Sequence, residues 1–210
     1  MHAAIDEVLA EYYDDVSFAT GIVARLATGS GRLEWSCAGH PRPLLLRGRK
    51  VVAELSCDPV LPFGLGDMTP KPVIEELEPD DMLLLYTDGV TEARTADGEL
   101  FGLDRLADLL EREAASGRTA EELLRRLARS VLDHQAGGLR DDATLLLVQW
   151  TGPGTRHADR RAARPRIRPA PSHPPRDLLP VVRGHARAIT AVLQAARSRG
   201  NIRRGAVRRV

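Results

Sequence analysis

Strands gathered first, helices after them and one strand to close predict an α+β layered domain over residues 1–150 of this 210-residue chain. A disordered basic tail over residues 151–210 is expected to follow it. The first observation behind this is a change of hydrophobic period: about two residues up to Thr87, about 3.6 between Asp104 and Leu132, then a last apolar run ending at Trp150. The second is a reversal of charge. Residues 1–150 hold 15 Lys and Arg against 27 Asp and Glu, a net −12, whereas residues 151–210 hold 15 Arg, no Lys and only Asp159 and Asp177, a net +13.

Each element has its own reason. Residues 18–26 read as a strand, Thr28-Gly-Ser-Gly31 as a turn and residues 32–37 as the returning strand of a hairpin. Residues 44–47 and 51–55 form a second short pair around Gly48, and after a Pro/Gly-rich loop over 59–72 come strands at 73–77 and 82–87. Residues 104–114 place Leu106, Leu109 and Leu110 on one helical face. A second helix over 119–132 opens with Thr119 and Glu122 at capping-box spacing, so that each side chain is expected to take the other's free backbone N–H. Its stripe is Leu123, Leu124, Leu127 and Val131, with Arg125, Arg126 and Arg129 on the wet side. A strand at 144–148 returns to the sheet. Ahead of the hairpin, residues 5–12 suit a short helix, and within the tail only 189–196 has helical character.

Composition excludes several classes. With 43% hydrophobic and 28% charged residues the chain can build a core, which argues against wholesale disorder. The longest apolar run, Met82 to Tyr86, is far short of the roughly 18 residues that span a bilayer, and Asp6, Glu7 and Glu11 stand where a signal peptide would be basic. A cytoplasmic protein with no membrane association is expected. Cys37 and Cys57 have neither C-x-x-C spacing nor a neighbouring His in sequence, so two reduced, buried thiols are expected rather than a disulfide framework or a zinc site. The Arg-rich tail lacks lysine and aromatic stacking residues, so nucleic acid is not the expected partner.

Chemistry is best placed at two acidic strand ends. Asp88 terminates the most apolar run, and Gly89 lets the backbone turn directly after it. Asp141 and Asp142 open the last strand after the loop Ala136-Gly-Gly-Leu-Arg140. If the two strands are neighbours, Asp88 converges with one of these aspartates, and carboxylates on rigid strand ends suit a hard divalent cation. The alternative is a simple Asp-Gly turn and a solvated Asp-Asp loop.

Six stretches in one order carry a family resemblance: Phe18-Ala-Thr-Gly-Ile-Val-Ala-Arg-Leu26, Ser36-Cys-Ala-Gly-His-Pro-Arg-Pro-Leu-Leu-Leu46, Leu61-Pro-Phe-Gly-Leu65, Leu84-Leu-Tyr-Thr-Asp-Gly-Val-Thr-Glu-Ala93, Gly98-Glu-Leu-Phe-Gly102 and Asp141-Asp-Ala-Thr-Leu-Leu-Leu-Val148. Over roughly residues 10–150 the chain resembles metal-dependent PPM-type serine/threonine phosphatases, in the bacterial branch of stage II sporulation phosphatase E and the phosphatases of anti-sigma-factor antagonists. The resemblance implies a β-sandwich with flanking helices and a cleft holding two Mn²⁺ or Mg²⁺ ions. It also implies hydrolysis of phosphoserine or phosphothreonine on a regulatory protein such as an anti-sigma-factor antagonist. Asp88 and Asp141 match two metal-ligating, catalytic aspartates of that pattern. Asp142 falls where a polar residue supports the ligands, and His40 belongs to a recurrent motif in which a loop-fixing role is expected.

The pattern is also incomplete. The family's early acidic pair and its Gly-Asp loop, which carry the aspartate that bridges both cations, have no counterpart before Phe18, and Asp14 and Asp15 are poor substitutes. Residues 1–150 are therefore expected to be a partial, truncated sandwich with impaired metal binding, or alternatively a non-catalytic pseudo-phosphatase that binds a regulatory partner. An incomplete sandwich is expected to leave Ile22, Leu33, Leu84 and Leu146 uncovered and an open sheet edge prone to self-association.

Overall fold

A computed structural model describes residue 5, residues 18–65, 71–135 and 142–153, and the backbone of 186–193 and 207–209. Two antiparallel sheets are stacked, with helices on one outer face. The smaller sheet has the order β1 (Gly21–Ala27), β2 (Arg32–Ala38), β5 (Val73–Glu76). The larger has the order β4 (Lys50–Glu54), β3 (Leu44–Arg47), β6 (Met82–Tyr86), β7 (Ala143–Trp150), β8 (Ala186–Leu193), β9 (Val207–Arg209). A single turn of helix, α1 (Asp88–Thr91), follows β6 directly, and α2 (Leu103–Ala115) and α3 (Ala120–His134) pack on the larger sheet.

The continuous apolar runs of β3, β6 and β7 follow from this layering, because both faces of those strands are covered. Leu44, Leu46, Leu84, Tyr86, Leu145 and Leu147 face the helices and meet Leu106, Leu110, Leu123, Leu124, Leu127 and Val131. Leu45, Leu83 and Trp150 point the other way, into a second cluster with Leu33, Trp35, Cys37, Leu55 and Leu77. The registers Leu44↔Leu84 and Leu84↔Leu147 line up the helix-facing row across three strands. Arg47 on β3 reaches the buried Asp81 carboxylate ahead of β6, at 2.7 Å from one guanidinium nitrogen, and Glu78 N–H donates to the same oxygen at 2.8 Å.

The first hairpin is fastened to the end of β7. Gly31 has φ +81°, and a Cβ there would lie 2.5 Å from the Trp150 ring and 2.6 Å from the Leu77 carbonyl oxygen, so only glycine fits. Trp150 in turn donates its indole N–H to the Thr28 carbonyl at 2.9 Å.

Several expectations are corrected. The first strand begins at Gly21 rather than at Phe18, which is exposed and precedes an isolated bridge from Ala19 to Phe63. Asp88-Gly89 opens a short helix, not a simple turn. Thr119 does cap α3 by accepting from Glu122 N–H, but the Glu122 carboxylate turns outward to Arg125 and Arg126, whose guanidinium groups hold its pKa down at about 2. Leu33 and Leu84, expected to be uncovered, are buried, while Ile22 and Leu146 are half-buried. The far edge of β7 is not open, because β8 pairs with it over eight residues from Ala143↔Leu193 to Trp150↔Ala186. Residues 186–193 are thus a strand where the sequence suggested a helix at 189–196; most of the tail, and all of the 5–12 helix except the helical Ile5, lie outside the described residues.

Candidate functional site

The end of β6 and the start of β7 lie side by side. Beyond the last strand pair, Tyr86↔Leu145, Thr87 N–H donates to the Thr144 carbonyl at 3.1 Å, and Thr144 N–H donates back to the Thr87 hydroxyl at 2.9 Å. Next in line, Gly89 lies so close to the Asp142 carbonyl that a Cβ on Gly89 would be 2.5 Å from its oxygen. Glycine is therefore required here by a close approach of two backbones, and its φ is ordinary. The strand pairing on which the sequence reading made the convergence of the aspartates conditional is present: the Asp88 end of one strand touches the Asp142 end of the other through their backbones. Asp141 lies outside the described residues, one peptide from Asp142.

The Asp88 side chain is exposed, and its Oδ1 accepts from Gly89 N–H at 2.9 Å. Its main-chain carbonyl is used by the helix turn, accepting from Glu92 N–H at 2.8 Å and from the Thr91 hydroxyl at 3.2 Å. The carboxylate is thus held on a rigid strand-to-helix junction and faces solvent. Asp142 is exposed as well.

His40 stands beside this junction. Its Nδ1 lies 3.0 Å from the Thr20 hydroxyl, and its ring also hydrogen-bonds the Tyr86 backbone, so it ties the start of the first hairpin to the end of β6. Burial lowers its pKa from the ordinary histidine value, and the Asp88 charge and the Tyr86 hydrogen bond only partly oppose that effect. Its carbonyl accepts the Cys37 thiol at 3.1 Å. Thr20, Thr87 and Thr144 are contributors that the sequence reading passed over; Thr87 carried a cue in its place between a strand and Asp88.

Hard oxygen donors on a fixed junction are the right kind of ligand for Mg²⁺ or Mn²⁺, which take mostly oxygen. Their number falls short. Among the described residues no group of three or more His, Cys, Asp or Glu side chains could hold a metal ion. The described residues alone do not make the two-cation centre that the sequence resemblance implies.

A two-sheet sandwich with helices on its outer face is the layering that the resemblance to PPM-type phosphatase domains implies. A solved structure of the RsbU and RsbW domains of Rv1364c from Mycobacterium tuberculosis matches with a TM-score of 0.56 and 30% identity, covering 64% of this chain and 38% of that one. The chain belongs to the Stage II sporulation protein E (SpoIIE) family, whose model matches residues 1–151. It is 37% identical over 146 residues to the phosphoserine phosphatase RsbU of Bacillus subtilis and 29% identical over 144 residues to protein IcfG of Synechocystis. The matches cover 69% and 68% of this chain but 43% of RsbU and 22% of IcfG, so the chain spans less than half the length of either relative. No helix among the described residues is long and apolar enough to cross a membrane.

Proposed function

We propose that this chain is a metal-dependent protein serine/threonine phosphatase domain that acts on a phosphorylated regulatory protein in the control of a sigma factor, such as an anti-sigma-factor antagonist, in the cytoplasm. The observation that carries the reading is the backbone contact between Gly89 and Asp142, which brings the strand end that bears Asp88 to the opening of the neighbouring strand. Asp88 and Asp141 are the proposed ligands of Mn²⁺ or Mg²⁺, and Asp142 supports them. Such a cation, when bound, neutralises phosphoryl charge and makes bound water more acidic. The protein's own part is to hold the carboxylates. Thr87 and Thr144 fix the two strand ends to each other, and His40, whose pKa burial lowers, stands between the hairpin and β6. Asp88 and Asp142 are both exposed, as access for a phosphorylated segment of a folded protein requires. The ligand set is smaller than that of the full family pattern, so weak turnover by the 210-residue chain alone belongs to the proposal.

The test is calorimetry with Mn²⁺ together with release of phosphate from p-nitrophenyl phosphate and from a phosphoserine peptide. Weak cation binding and slow turnover, both lost in Asp88→Asn and Asp141→Asn, are expected. Cation binding unchanged in both variants would remove these residues from the site. Phosphopeptide binding without any turnover would establish the other reading, a non-catalytic module that binds a regulatory partner.

A further inference from the structure

Cys37 and Cys57 are 20 residues apart, yet the fold brings them together. Cys37 is at the inner end of β2, and Cys57 follows β4 in a segment pinned at both ends. Leu55 N–H donates to the Pro43 carbonyl at 2.8 Å, and Gly39 N–H donates to the Val60 carbonyl at 3.1 Å. Residues 55–60 therefore run alongside 39–43, and Cys57 packs on the sheet-to-sheet cluster that contains Cys37, near enough to raise the pKa of the Cys37 thiol. The two differ in access: Cys37 is 4% exposed and Cys57 is half-buried, and both are free thiols.

We propose that Cys37 and Cys57 are a redox-active pair that closes into a reversible intramolecular disulfide and thereby releases the loop carrying His40. The oxidant is a peroxide of the hydrogen peroxide class. The accessible Cys57 sulfur attacks the peroxide oxygen, the O–O bond breaks, and a sulfenic acid forms with loss of water. The Cys37 sulfur then attacks the Cys57 sulfur, the S–O bond breaks, and the second water leaves with the Cys37 proton. Two thiols and one peroxide give one disulfide and two waters. Burial pushes the Cys37 thiol up to about 11, so it is the less reactive of the pair toward peroxide and acts second.

The consequence is local. Cys37 is the thiol that donates to the His40 carbonyl. A disulfide has no S–H, so that carbonyl loses its donor, and residues 38–41 lose one of the contacts that set the imidazole between Thr20 and Tyr86. The inference concerns this loop and does not depend on the phosphatase reading.

The test treats the full chain with hydrogen peroxide, blocks remaining thiols with iodoacetamide and maps peptides by mass spectrometry, with the His40 ring followed by NMR. Loss of both alkylatable thiols, a Cys37–Cys57 linked peptide, recovery with dithiothreitol and a reversible shift of the His40 resonances are expected. Cys57→Ser should abolish the link and the shift, and Cys37→Ala should leave Cys57 as an unlinked sulfenic acid. Both thiols still alkylatable after treatment, a link only between different molecules, or a disulfide that leaves the His40 resonances in place would each overturn the proposal.

Discussion

The six-stranded sheet is covered by helices on one face and by the smaller sheet on the other, and the two coverings differ in kind. Toward the helices it meets Leu106, Leu110, Leu123, Leu124, Leu127 and Val131, all 0% exposed, and the layer is apolar throughout. Toward the smaller sheet the layer includes both tryptophans and both thiols, and Ile22, Leu26 and Val73 are only partly buried. One of its polar atoms, the buried Trp35 indole N–H, has no hydrogen-bond partner among the described residues. The helical layer is held mainly by burial, with Glu111 on α2 accepting from Val51 N–H and pairing with Lys50 at the β4 edge. The sheet-to-sheet layer gives up some closure, and it is this layer that carries the hairpin, the His40 loop and the thiols beside the candidate site.

The difference is open to measurement, most strongly at its two extremes. Leu127→Ala removes a side chain sealed between α3 and the sheet and should lower unfolding free energy by about 2–5 kcal/mol in a urea titration. Ile22→Ala, on the half-covered β1, should cost roughly 1 kcal/mol, because less of its burial is complete. Equal costs at the two positions would erase the distinction between the layers.

A smaller effect should come from pH. His40 has its pKa lowered in the fold, so between that value and the ordinary 6.5 the unfolded chain binds more protons than the folded one. The contribution of His40 to stability is therefore complete above about pH 6.5 and declines as pH falls through the window below it. Thermal unfolding followed from pH 7.5 to 5.5 should show a fall in Tm that is shallower in His40→Gln. An identical slope in the variant would mean that His40 is not sheltered as the geometry requires.

The smallest effect is expected at Trp35. Trp35→Phe loses packing volume but also removes a buried donor without a partner, which costs roughly 1–3 kcal/mol when left unmade. The two changes oppose each other, so a net change within about 1 kcal/mol is expected in the same urea titration. A loss as large as that of Leu127→Ala would show that this layer is packed as tightly as the helical one.

These contrasts also mark what the sequence disclosed. The apolar runs at Leu44, Leu84 and Leu145 announced buried strands, and Thr119 announced the start of α3, because burial and capping are written in residue type and local spacing. Asp88 and the Asp141-Asp142 pair were legible as strand ends. Their approach was legible only as a condition, since it depends on antiparallel pairing between segments far apart in the chain. Thr20 and Thr144 were not legible at all, and Thr87 only by its place between a strand and Asp88, for a hydroxyl's partner is set by tertiary placement and leaves no periodic trace. The stretch over 189–196, read as helical, misled over 189–193, because local helical preference is weak beside an eight-residue ladder along β7.

The placement of Trp35 and Trp150 has a spectroscopic consequence. The chain has only these two tryptophans, both in the sheet-to-sheet layer, and neither α2 nor α3 contains one. Indole emission therefore watches one layer of the molecule, while helical ellipticity in the far ultraviolet watches the other. The protein carries a separate optical reporter for each layer without any label. Coincident melting in the two channels would mean that the layers unfold as one cooperative unit, and an earlier change in emission would mean that the layer beside the candidate site opens while the helical layer is still intact.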